Sequence, residues 1–85
     1  MCYVYILQSS VDSKKVYVGL SNDVQRRIRE HNTQPTCAYT RSYRPWMLKI
    51  YIAFNNRPSA ARFESYLKSH SGRAFLRKRL LQTDL

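Results

Sequence analysis

Two short runs near the start of the chain, Tyr3-Val4-Tyr5-Ile6-Leu7 and Val16-Tyr17-Val18-Gly19, do most to limit the folds open to it. β-branched and aromatic residues pack well on a pleated, half-buried surface. The stretch between them, Gln8 to Lys15, is polar and carries Ser9, Ser10, Asp12 and Ser13, which suit a turn. The pair reads as a hairpin. A third run, Trp46 to Phe54, is apolar on both faces and is expected to be the central strand of the sheet.

Helix signals fill the rest. Asn22 is placed to cap a helix, with Gln25 three residues on and Asp23 suited to the positive end of the dipole. Val24 and Ile28 mark its apolar face as far as His31 or Asn32, and Thr33 to Pro35 breaks it. Cys37 to Pro45 has no clean period and reads as a surface loop. Asn55-Asn56-Arg57-Pro58 turns the chain into a second helix capped by Ser59, carrying Phe63, Tyr66 and Leu67, and ending by Gly72. Ser71 then caps a short, densely basic terminal helix. The order is β-β-α-β-α-α, an α+β fold with a small three-stranded antiparallel sheet flanked by helices, in one domain over residues 1–85.

Composition narrows the partner. Fifteen Lys and Arg against five Asp and Glu give a formal net charge of +10 on 85 residues. Such a field attracts polyanions, and ten of the cations are Arg, whose planar fork suits phosphate. They alternate with aromatics in Tyr39-Thr40-Arg41-Ser42-Tyr43-Arg44-Pro45-Trp46, a pattern that suits backbone contact with some stacking. Arg41, Arg44, Arg73, Lys78 and Arg79 are expected on a nucleic-acid track, with Trp46 in the core or at a strand edge. Charge alone does not choose DNA over RNA. No apolar run is long enough to cross a membrane. The first residues lack the basic leader of a signal peptide. Two cysteines, Cys2 and Cys37, are too few for a disulfide scaffold. A reducing, cytoplasmic setting is the expectation.

The groups able to do chemistry are few. Tyr5 and Tyr17 lie on paired strands. Arg27 and His31 are four residues apart, so they project together from one helix, about 40° apart. Glu64 is the only carboxylate between Glu30 and Asp84, and so the only candidate metal ligand in the second half of the chain apart from the terminal acid. Read singly, each has a plain structural role: sheet tyrosines, a solvated arginine, a histidine at a helix end, an acid paired with Arg57, Arg62 or Lys68.

Together they resemble a stand-alone GIY-YIG nuclease domain. Tyr17-Val18-Gly19 is similar to the second tripeptide of that family, and Tyr3-Val4-Tyr5 stands in place of the first, with Tyr3 where the glycine would be. The segment from Ser21 to Asn32 resembles the helix that follows, with its Arg and His. Tyr39-Thr40-Arg41 and Arg44-Pro45-Trp46 resemble the stretch before the third strand. Ala60 to Lys68 resembles the helix that brings in the metal-binding Glu. The resemblance covers nearly the whole chain in order.

The resemblance implies hydrolysis of a DNA phosphodiester with Mg²⁺ or Mn²⁺, in the setting of DNA repair or recombination. Glu64 would hold the metal, and Arg27 would stabilise charge on the phosphoryl oxygens. Tyr5 or Tyr17 would position or deprotonate the attacking water, with His31 hydrogen-bonded nearby. A free tyrosine titrates near ~10, so His31 as base with a tyrosine as orienter is equally open. Gly19 would allow close backbone approach at the strand end. Low sequence specificity is expected, with structure-selective or single-strand cleavage, unless a larger protein partner supplies specificity. The competing expectation is a basic nucleic-acid-binding module without turnover on the same fold.

Overall fold

The computed structural model describes residues 1–34 and 38–81. Strands β1 (Cys2–Ser9) and β2 (Val16–Ser21) form the expected hairpin, closed by Ser9 N–H donating to the Lys15 carbonyl at 3.0 Å. Strand β3 (Trp46–Phe54) pairs antiparallel with the other side of β1. The sheet order is therefore β2-β1-β3. This corrects the central placement expected for β3: β1 is the middle strand, and it is buried at every residue but Tyr3.

The register explains why β3 looks apolar on both faces. Ile6 pairs with Ile50, but Leu7 pairs with Leu48, so Lys49 is an extra residue in β3. A bulge of one residue moves every later side chain to the opposite face. Trp46 and Leu48 accordingly join Tyr5 and Leu7 on one side of the sheet. Ile50 and Phe54 join Cys2, Val4, Ile6 and Val18 on the other. One edge strand thus serves two cores in turn, while Met47 and Tyr51 remain exposed.

Helix α1 (Val24–Thr33) and the short α2 (Ala38–Arg41) cover the Tyr5 face. The cap of α1 is Asp23, whose carboxylate accepts from Arg26 N–H at 3.1 Å, one residue later than the Asn22 cap expected. Ser21 Oγ accepts from Asp23 N–H at 2.9 Å and fixes that entry. Helix α2 lies inside the stretch read as a loop; Cys37 lies outside the described residues.

The opposite face is covered by α3 (Arg57–Lys68), α4 (His70–Phe75) and a π-helical turn, Leu76–Leu80. Asn56, not Ser59, caps α3, accepting from Ser59 N–H at 2.9 Å. Pro58 falls in the first turn, where its missing N–H has no partner to lose. Ser69 ends α3 and caps α4 through Gly72 N–H, in place of the expected Ser71. Gly72 is no helix end: a Cβ there would overlap the Tyr66 carbonyl, so glycine lets α4 fold tightly back on α3.

Candidate active site

The Tyr5 face of the sheet gathers four of the five residues singled out for catalysis. Tyr5 projects from the central strand and is 1% exposed; its hydroxyl lies 3.0 Å from His31 Nε2. His31, at the end of α1 and 2% exposed, places its Nδ1 3.1 Å from Thr40 Oγ1 in α2. The Tyr17 ring stacks at a tilt on the imidazole, with centroids 4.5 Å apart, and lies 6.2 Å from the Tyr5 ring. Arg27, one turn before His31, engages both Glu30 and the Tyr5 hydroxyl.

Electrostatics follow from this packing. Burial lowers the His31 pKa to about 4, helped by the nearby positive charges of Arg27 and Arg44, against an opposing pull from Glu30. His31 is therefore neutral near pH 7. Burial also works against charge on Arg27, but its bonds to Glu30 and Tyr5 outweigh that and hold it above the ordinary arginine range. The site thus presents a fixed cation and an uncharged imidazole on either side of one phenol.

Gly19 completes the cluster in a way the sequence did not suggest. A Cβ on Gly19 would occupy the space of the Tyr5 hydroxyl and ring. The expected close approach at this strand end is thus made by Tyr5, the cross-strand partner of Gly19. No positive φ is involved.

Several supporting residues also lay outside the sequence reading. Trp46 Nε1 donates to the Thr40 carbonyl at 2.7 Å, fixing the residue that orients His31. Asn32 clamps the Trp46 backbone from both sides, accepting from its N–H at 2.7 Å and donating to its carbonyl at 3.2 Å. Arg44, expected on the nucleic-acid track, donates Nε to the His31 carbonyl at 2.5 Å and Nη2 to the Gln34 carbonyl. It serves α1 as a C-terminal cap. The signal in the sequence is Thr40 in Tyr39-Thr40-Arg41, a small polar residue just ahead of Arg44-Pro45-Trp46.

Glu64 lies on α3, with its carboxylate 3.2 Å from Lys68 Nζ. A cavity of about 320 Å³ beside the β2 edge is lined by both Tyr17 and Lys68, the partner of Glu64. Arg73 also lines it; Lys78, Arg79 and Arg41 are exposed elsewhere. Among the described residues no group of three His, Cys, Asp or Glu could cage a metal, and no helix is long and apolar enough to cross a membrane.

Comparison with known proteins gives a consistent picture. A family model described as the GIY-YIG catalytic domain matches residues 1–79. A UPF0213 protein of Haloquadratum walsbyi is 39% identical over 69 residues, covering 81% of this chain and 75% of the relative. A structure-specific endonuclease subunit SLX1 homolog of Giardia intestinalis is 35% identical over 66 residues, covering 74% of this chain but 18% of that protein. The solution NMR structure of the UPF0213 protein BH0048 from Bacillus halodurans matches with a TM-score of 0.53 at 33% identity, covering 92% of this chain and 84% of that one.

Proposed function

The chain belongs to the GIY-YIG catalytic-domain family, and from that premise we propose that it is a divalent-metal-dependent DNA endonuclease acting on structured or single-stranded DNA. The family and the likeness to a structure-specific endonuclease subunit support nuclease function in general. The observation that carries the finer reading is the buried contact of the Tyr5 hydroxyl with both His31 Nε2 and Arg27.

In this reading the attacking water gives its proton to Tyr5 Oη as Tyr5 passes its own proton to His31 Nε2. The imidazole is neutral near pH 7, a weak base because of its burial, and with Nδ1–H donating to Thr40 Oγ1 its free lone pair is on Nε2. The water oxygen forms its bond to phosphorus, the bond to the departing oxygen breaks, and that oxygen takes a proton from solvent. Arg27 favours negative charge on Tyr5 and on the phosphoryl oxygens beside it. Tyr17, with its ring stacked on His31 beside Tyr5, positions the phosphate.

The donor set fits a magnesium or manganese ion. Glu64 already draws a cation, the ammonium of Lys68, and Mg²⁺ keeps several waters and needs only one or two carboxylates plus substrate phosphate. Glu64 would hold the ion, which would supply Lewis acidity toward the phosphate. A partner chain that adds specificity fits the word "subunit" in the name of the SLX1 relative. The test is Tyr5→Phe, which keeps the ring and removes the hydroxyl. It is expected to fold and bind DNA while losing cleavage; cleavage at the wild-type rate would remove Tyr5 from the reaction.

A further inference from the structure

The cavity beside β2 has a composition that the catalytic cluster does not require. Five cations line it: Lys14 and Lys15 from the hairpin turn, Lys68 from α3, and Arg73 and Arg77 beyond it. No acid lines it. Lys68 is paired with Glu64, and Lys15 lies over the Tyr43 ring at 5.3 Å. Among the described residues, no carboxylate pairs with Lys14, Arg73 or Arg77.

Such crowding of like charge is costly in isolation and calls for an anionic occupant. The inner wall is rigid, since Val18, Leu67 and Leu76 belong to the packed core. Lys14, Arg73 and Arg77 are exposed, so they form a rim that a long polyanion can cross. At about 320 Å³ the space is at the lower end of ligand sites, roughly 300–1,000 Å³, which suits one backbone unit rather than a folded molecule.

Position decides which anion. Tyr17 lines the cavity from the edge strand β2 while its ring lies against His31 on the other face of the sheet, and Lys68, also in the lining, pairs with Glu64. The cavity therefore adjoins both halves of the site where a phosphodiester would be cleaved. We propose that it is a subsite for an internal phosphodiester of the substrate strand, flanking the cleaved one and held by Arg73, Arg77, Lys14 and Lys15. This rests on the nuclease reading for its location, though not for its chemistry. The strand then runs along β2, an edge strand of the sheet.

The test is metal-free binding of a labelled single-stranded oligonucleotide, with EDTA present so that cleavage plays no part. Arg73→Glu with Arg77→Glu is compared with Lys49→Glu plus Arg57→Glu, an equal charge change at exposed positions outside the cavity. The cavity pair is expected to weaken binding at least roughly tenfold beyond the control and to reduce the salt slope by roughly 1.4, the value for two lost contacts to a single strand. Equal loss in both doubles overturns the proposal, as does binding that requires a 5′-terminal phosphate over a 5′-hydroxyl. Wild-type cleavage is measured alongside. If the wild type cleaves and the doubles bind alike, the subsite fails and the nuclease stands. If it cleaves nothing and the cavity double alone loses binding, the subsite stands and the nuclease fails.

Discussion

The hydroxyl of Tyr5 stands inside the volume that a Cβ on Gly19 would fill. The two residues face each other across the β1–β2 ladder, so the second tripeptide of the motif makes room for the tyrosine of the first. Tyr5 is boxed in by Gly19, His31 and Arg27, and its hydroxyl has little freedom to move without breaking one of these contacts.

Gly19→Ala is therefore expected to do more than a methyl group does on most strands. The Tyr5 ring must shift within a packed core, at a cost of about 1–3 kcal/mol. Urea melts will read the loss of stability, and cleavage will fall because the Tyr5 hydroxyl leaves His31 Nε2. A variant with wild-type stability and cleavage would show that the ring has free space.

Stability should depend on pH through His31. Its pKa falls from an ordinary value near 6.5 to about 4 in the folded chain. The unfolded chain therefore binds more protons between those values. The contribution is fully present above pH 6.5, is lost as pH falls toward 4, and amounts to at most about 3 kcal/mol. Denaturant midpoints of wild type and His31→Gln, followed across that window, check this. A wild-type slope no steeper than that of His31→Gln would contradict it.

Thr40→Val keeps the shape of a side chain that orients His31 but removes its hydroxyl. It leaves Nδ1 without this partner in a buried site, an expected cost of about 1–3 kcal/mol. If Thr40 acts by orienting the ring, cleavage will drop with little change in DNA affinity and its pH profile will move; Thr40→Ser will restore both.

The hairpin, the third strand and the three main helices were legible because each carries its own periodicity or cap chemistry. The central strand was not. A one-residue bulge at Lys49 makes β3 apolar on both sides, which mimics a buried strand. Caps moved by one to three residues where Asp23, Asn56 and Ser69 offered better-placed oxygens. Within the site, the spacing of Arg27 and His31 was readable from helical geometry, and the structure turns both toward Tyr5. The roles of Thr40, Asn32 and Arg44 were not, because they depend on how α2 and the start of β3 fold back onto α1. Local sequence holds no record of that contact.

Cleavage measured together with binding tests the central claim most directly. Single-stranded, duplex and branched DNA are each offered to wild type, Arg27→Ala and Glu64→Gln, with Mg²⁺ or Mn²⁺ and with EDTA. The account predicts that the wild type cuts at least one form only when metal is present. Both variants should lose roughly 100-fold or more in rate, yet still bind. No cleavage of any form by the wild type, or cleavage by both variants at the wild-type rate, would contradict it.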